Sequence, residues 1–365
     1  MNSDTAKIRS GSVTAYTVPT DSPESDGTLE WHATTMVIVF VNASNKTGVG
    51  YTYADVATAK LIDTVLLPLV HGADAMNVQA CWSAMRHAIR NLGRPGICSM
   101  AIAAVDSALW DLKAKLLDLP LVALLGAAQS SVEAYGSGGF TSYSISKLEK
   151  QLGGWAEQGM KAVKMKIGRN ADEDLARVKA ARKAIGAEVA LYVDANGAYS
   201  RKQALLMAKR FAECDVVWFE EPVTSDDLLG LRLIRDRAPA GMEIAAGEYG
   251  YDLVYFQRML EAGAVDVQQA DASRCAGISE FMRVGALCDA ANLPMSAHTS
   301  PSLHLHACCA LDRLRNIEFF HDHARIEKMF FDGAIEPVDG RLHPDLSRPG
   351  MGIELKRTDV ERYEV

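Results

Sequence analysis

From residue 132 onward the chain repeats one pattern eight times: a short apolar run of strand length, then a stretch whose apolar residues recur at helical spacing. The runs are VEAYGSG at 132, AVKMKIG at 162, ALYVDAN at 190, VVWFEEP at 216, EIAAGE at 243, AVDVQQAD at 264, LPMSAHTS at 293 and NIEFF at 316. Their starts lie between 21 and 30 residues apart. Eight βα units of this size are what a (β/α)8 barrel requires. An open doubly wound sheet is the competing arrangement. No G-x-G-x-x-G follows the first run, and the even spacing favours closure.

The first third differs in texture. TTMVIVFV at 34–41 reads as a strand, and the Gly-rich KTGVGYTYA after it as a turn and a second strand. Helical spacing follows near 55–70, 77–91 and 99–117, making an α+β unit. VPTDSPESDGTLEWH, 18–32, reads as a polar, mobile loop that closes over ligand and excludes water. Beyond the eighth run the tail GAIEPVDGRLHPDLSRPGMGIEL is turn-rich, with a return strand expected at its end that packs back on the first unit.

The formal net charge of -8 is spread without an acidic or basic block, which argues against nucleic acid or an anionic membrane as partner. The start, MNSDTAKIRSGSV, has no apolar h-region, and MVIVFV is too short to cross a bilayer. The seven cysteines are scattered without a C-x-x-C, as expected of reduced core residues in a cytoplasmic protein.

Polar residues gather where the eight runs end, and in barrel enzymes the C-terminal strand ends assemble the chemistry. The second run carries Lys164 and Lys166, and the third, fourth and fifth end at Asp194, Glu220 and Glu248. Asp271, His298 and Glu318 belong to the sixth, seventh and eighth. Three carboxylates from consecutive strands would repel unless a hard divalent cation joined them. A trio without histidine or cysteine favours Mg2+ over zinc. The alternative is a set of exposed strand-end acids or partners for the lysines. Asp271 can orient His298 and raise its basicity. His304 and His306 read as helix-start or packing residues, and His321 and His323 as a pair lacking further metal ligands.

Lys164 and Lys166 lie two apart on a strand and so share one wall. At about 7 Å and an effective dielectric of about 20, a second ammonium costs roughly 2 kcal/mol. That draws a lysine down toward use as a general base, with nearby acids opposing part of the effect.

The motifs KMKIG, VDANG, WFEEP, AAGE, QADASRCAGI, SAHTS and NIEF, with DSALWDLKAK and LPLVALLG before them, resemble the enolase superfamily and within it the mandelate racemase subgroup. The resemblance spans almost the whole chain. It implies an α/β fold: a modified (β/α)8 TIM barrel at 127–330, an N-terminal α+β capping domain at 1–126, and a C-terminal segment, 331–365, returning to complete the cap. By the same resemblance Asp194, Glu220 and Glu248 bind Mg2+. Lys166 is one base, Lys164 tunes it or contacts the substrate carboxylate, and His298 with Asp271 is the other acid or base. A protonated Glu318 helps hold the substrate and its enediolate oxygens, while Asn196 and Glu221 support the metal or substrate shell. The substrate is a small carboxylate, and a homo-oligomer is expected. The outcome expected is dehydration of an aldonate or aldarate to a 2-keto-3-deoxy acid. Racemisation, epimerisation and cycloisomerisation are the alternatives, and a non-catalytic sugar-acid-binding protein a remote one. His32, Tyr51, Tyr53 and Ser137 could contact sugar hydroxyls or simply pack in their loops, and Arg274 could pair with a nearby acid.

Overall fold

The computed structural model describes residues 6–365. Three antiparallel strands, β1 (Ile8–Ser25), β2 (Glu30–Ala43) and β3 (Lys46–Tyr53), form the N-terminal sheet in the order β1-β2-β3. Residues 18–32 are therefore mostly strand, not the loop the sequence predicts; only a short turn separates β1 from β2. The turn is fixed by Asp26, whose Oδ1 accepts from the N–H groups of Thr28 (2.6 Å) and Leu29 (2.7 Å). The hairpin is also docked on the barrel, with Thr141 N–H donating to Ser25 O at 2.8 Å.

Strand alternation explains how β2 joins two cores. Met36, Ile38 and Phe40 pack into the core shared with the barrel, whereas Val37, Val39 and Val41 face the helices of the capping domain. The long helix Ile97–Leu116 lies backbone to backbone against β3. A Cβ on Gly48 or Gly50 would stand 2.2 Å from the carbonyl oxygen of Ala108 or Ala104.

The barrel strands are β4 (Val132–Gly138), β5 (Ala162–Lys166), β6 (Ala190–Asp194), β7 (Val216–Glu220), β8 (Glu243–Ala246), β9 (Val267–Ala270), β10 (Met295–Ala297) and β11 (Leu314–Phe320). All are parallel, each pairs with its chain neighbours, and β11 pairs back on β4 from Asn316↔Glu133 to Phe320↔Ser137, which closes the ring. Their helices begin where capping chemistry allows. Ser200 and Gln203 form a capping box before Arg201–Ala212, and Asn170 caps Ala171–Ile185.

The tail ends in a short strand as expected, but that strand does not join the N-terminal sheet. β12 (Phe331–Asp332) pairs with β14 (Glu354–Leu355), and β13 (Arg341–Leu342) pairs with β4 rather than with the N-terminal sheet. The tail does pack back on the first unit: Leu121 N–H donates to Gly350 O (2.7 Å), Gly350 N–H to Leu119 O (2.9 Å), Met351 N–H to Asp111 Oδ1 (2.7 Å) and Val365 N–H to Ala15 O (3.1 Å). Among the described residues no helix is long and apolar enough to cross a membrane.

Polar contacts set the capping domain over the C-terminal strand ends. Thr52 donates to Ser273 O (2.7 Å) and Trp82 to Ala276 O (2.8 Å), in the loop after β9. Tyr51 donates to Glu327 Oε1 (2.7 Å) and Thr34 to Asp322 Oδ2 (2.5 Å), on the helix His321–Phe330.

Candidate active site

Lys166, Asp194 and Glu220 are the last residues of β5, β6 and β7, and Asp194 stands in register with both neighbours. Glu248, Asp271 and His298 fall within two residues of the ends of β8, β9 and β10, and Glu318 lies inside β11. All seven, with Lys164, are buried.

Asp194, Glu220 and Glu248 each bring a carboxylate oxygen within 4.8 Å of the others. Burial, then the charge of Asp194, pushes Glu220 up to about 8. Glu248 Oε2 makes no hydrogen bond, although His298 Nε2 lies 3.2 Å away. A buried trio of oxygen donors, drawn from three adjacent strand ends and with an unsatisfied oxygen, fits a hard divalent cation such as Mg2+. Around it, Trp218 Nε1 donates to Glu220 Oε2 (2.9 Å) and Asn196 N–H to Asp194 Oδ1 (2.9 Å). Asn196 and Glu221, both at positive φ, keep Oδ1 and Oε1 buried without a partner.

The two lysines share a wall at different depths. Lys164 is fully buried, paired with Glu220, with Glu318 Oε1 at 2.8 Å and Asp194 Oδ2 at 3.5 Å. Lys166 reaches the cavity and pairs with Asp194 Oδ2 at 2.5 Å. Burial alone would lower both pKa values, but the carboxylates outweigh it and hold both above the ordinary lysine range. The lowered lysine predicted from the K-x-K spacing is thus reversed while these acids are its partners.

On the opposite flank, His298 Nδ1 meets Asp271 Oδ2 at 2.9 Å, leaving Nε2 beside Glu248 and 3.6 Å from Glu318 Oε2. Burial would lower this imidazole, yet Glu248 and Glu318 raise it to about 9. Asp271 Oδ1 accepts from Ser273 N–H at 2.7 Å. His304 is a satisfied packing residue, accepting from Ala272 N–H (2.7 Å) with its Nδ1 3.0 Å from Ser300 O. Glu318 accepts from Ser137 (2.6 Å) and from Thr299 N–H (3.2 Å). Burial would protonate it, but Lys164 and His298 hold it down to about 2, so it is ionised here, not protonated as expected.

A cavity of 400 Å³ between these strand ends and the capping domain is lined by Lys166, His298, Glu248, Asn196 and Arg274, with Tyr53 and Trp31 on the cap side. A larger cavity of 780 Å³ shares Asn196 and Tyr249 and also meets Glu221, but no lysine or histidine lines it. The chemistry therefore sits in the smaller one.

Several expected substrate contacts move. His32 is exposed, with a 72% accessible side chain near Glu30, because strand alternation turns Trp31 inward and His32 outward. Tyr51 is committed to Glu327, and Ser137 reaches the site only through Glu318. Tyr53 lines the cavity, stacked on His323 at 3.5 Å, with its hydroxyl on His323 O. His323, absent from the expected site, lines the cavity too, and no local spacing signals it. Arg274 does pair with acids, 3.6 Å from Glu248 Oε1 and 3.7 Å from Asp271 Oδ2. His321 joins Asp21 and Glu24 within 4.8 Å, but it is already paired with Asp21 at 2.9 Å, and Glu24 accepts from Trp31 Nε1.

A closed barrel whose strand ends carry a carboxylate trio between a lysine and a His–Asp dyad defines an enzyme of the enolase type. Residues 12–126 match the mandelate racemase / muconate lactonizing enzyme N-terminal domain, and residues 147–360 the enolase C-terminal domain-like family. The chain belongs to the mandelate racemase / muconate lactonizing enzyme family of the enolase superfamily. A mandelate racemase/muconate lactonizing enzyme-like protein from Rubrobacter xylanophilus is 50% identical with a TM-score of 0.97, over 98% of this chain and 100% of that one. A racemase from Streptomyces coelicolor A3(2), solved with bound magnesium, gives 30% identity and a TM-score of 0.92 over 98% and 100%. The 3,6-anhydro-alpha-L-galactonate cycloisomerase of Streptomyces coelicolor is 32% identical over 88% of each chain. The arabinonate dehydratase of Saccharolobus solfataricus is 33% identical over 83% of this chain and 82% of its own.

Proposed function

We propose that the protein is a Mg2+-dependent lyase that removes the proton α to a sugar-acid carboxylate and dehydrates the resulting enediolate to a 2-keto-3-deoxy acid. The observation that carries this reading is the placement of Lys166 and the His298–Asp271 dyad on opposite flanks of the Asp194, Glu220 and Glu248 trio. When bound to those three carboxylates, Mg2+ supplies electrostatic stabilisation of the charge that proton removal puts on the substrate carboxylate.

The chain's own residues supply the rest. Lys166, open to the cavity, takes the α proton once Asp194, the carboxylate that holds it protonated, is engaged elsewhere. Lys164 is too buried to reach solvent and contributes fixed positive charge beside Glu318. Asp271 holds His298 so that Nε2 delivers a proton to a departing β-hydroxyl. Asn196 and Glu221 support the carboxylate trio, and Ser137 orients Glu318. The cap contacts described above exclude water. The same reading makes the enzyme cytoplasmic and homo-oligomeric, which light scattering of the pure protein checks for assembly.

Two bases on opposite flanks also serve a second reading, epimerisation or cycloisomerisation, in keeping with the cycloisomerase relative. Incubation with Mg2+ and a library of aldonic and aldaric acids in D2O, followed by NMR, separates them. Keto-acid formation supports dehydration; α-proton exchange or inversion without keto acid replaces it with the second reading.

A further inference from the structure

The charges lining the catalytic cavity are unevenly distributed. Every cation there already faces carboxylates: Lys166 meets Asp194 at 2.5 Å, His298 meets Asp271 at 2.9 Å, and Arg274 lies between Glu248 and Asp271. The cap side brings only acids, Asp26 from the β1–β2 turn and Asp55 just beyond β3. In each of these one oxygen is engaged at home: Asp26 Oδ1 takes the Thr28 and Leu29 N–H groups, and Asp55 Oδ1 takes Ala57 N–H at 2.8 Å. Among the described residues no donor meets Oδ2 of either.

His323 adds a neutral polar group. Its ring is stacked on Tyr53, its Nδ1 is buried without a partner, and burial and the neighbouring His298 charge hold it down to about 3. The cap and the helix His321–Phe330 beneath it therefore offer two carboxylates and an uncharged imidazole to whatever extends beyond the reacting end of the substrate. Hydroxyl groups can donate to the carboxylates and pair with the imidazole. A second substrate carboxylate reaching the cap side would meet two like charges and no cation lining that side.

We propose that the cavity selects monocarboxylates with a neutral polyhydroxylated tail, acids of the aldonate class, and rejects the corresponding diacids, with Asp26 and Asp55 reading the tail hydroxyls from the cap side. This rests on the proposed reading of the site as one that holds a sugar-acid carboxylate.

The test uses aldonate and aldarate pairs of identical configuration with the Mg2+-loaded full-length protein. Binding is read by calorimetry and α-proton exchange by NMR in D2O. The tightest ligand is expected to be an aldonate, with its diacid partner weaker by at least about tenfold. The Asp26→Asn/Asp55→Asn variant keeps the turn-capping Oδ1 atoms and removes the charge, so the aldonate preference should shrink by at least about fivefold. If the double variant does not fold, each single substitution is read in the same way. A diacid as tightest ligand, or an unchanged ratio in the variants, overturns the inference while exchange of any sugar acid leaves the parent reading standing. Absence of binding and exchange across both series overturns both.

Discussion

Replacing Asp271 by Asn tests the dyad with almost no change of shape. In the native site Asp271 Oδ1 accepts the Ser273 N–H at 2.7 Å, and Oδ2 faces His298 Nδ1 at 2.9 Å. In Asp271→Asn the Ser273 donor fixes the amide oxygen on its own side, so the NH2 group must face His298. A donor there forces the imidazole proton onto Nε2, which removes the lone pair that would accept a proton in the cavity. The lost carboxylate charge matters as well. For charges about 4 Å apart at an effective dielectric of about 20, the imidazolium loses roughly 4 kcal/mol, close to three powers of ten in its protonation equilibrium. The expected result is a fall in keto-acid formation on the order of 10²–10³-fold, measured as kcat with a substrate found in the D2O screen. Exchange of the α proton through Lys166 should persist. A variant whose kcat stays within about threefold of the parent would refute the assignment of His298 and Asp271 as an acid/base pair.

Three further outcomes follow from named contacts. Chelation of Mg2+ should abolish α-proton exchange, and Mg2+ at about a hundred times its dissociation constant should add about 2.7 kcal/mol to apparent stability; Glu248→Gln should lose that thermal shift, and its retention would remove Glu248 from the ligand set. Burial raises Glu327 from 4.5 to about 7 against hydrogen bonds from Ser302 and Tyr51. Because the folded pKa is the higher one, this group's contribution is fully present below pH 4.5 and is lost as pH rises through about 7. The loss amounts to roughly 3 kcal/mol, so denaturation of Glu327→Gln should depend less on pH between about 5 and 8, and parallel profiles would contradict this. Gly50→Ala places a Cβ 2.2 Å from Ala104 O and 2.4 Å from Ala108 N, both backbone atoms of the long cap helix. It should cost about 3 kcal/mol in chemical denaturation; a loss under about 1 kcal/mol would mean that the helix shifts freely.

The barrel was legible because its strands are buried on both faces and read as compact apolar runs between helices, with the polar residues left at their ends. Strand β1 was not legible. It contains Pro19 and Pro23 among polar residues, and a strand paired on one edge only tolerates both, with its register breaking between Pro19 and Glu24. Reading 18–32 as a loop also left His32 without a face, whereas on β2 it alternates with the inward Trp31 and points outward. His323 could not be found from HDHAR, because docking of the cap, through Tyr53 stacking and Thr34 to Asp322, is what brings that turn to the cavity.

The lysine pair shows where local reasoning reaches its limit. Alternation along β5 correctly puts Lys164 and Lys166 on one wall, and a repulsion of roughly 2 kcal/mol between ammonium groups about 7 Å apart is real. Yet each lysine has a carboxylate far closer than the other lysine: Glu318 lies 2.8 Å from Lys164 and Asp194 2.5 Å from Lys166. At about 4 Å and the same dielectric each attraction is worth roughly 4 kcal/mol, so the acids win. Those acids come from β11 and β6, strands that the KMKIG motif cannot specify. The sign of a lysine's perturbation is therefore a property of the closed ring, and the mutual repulsion governs Lys166 only when the carboxylate lone pairs around it are engaged elsewhere.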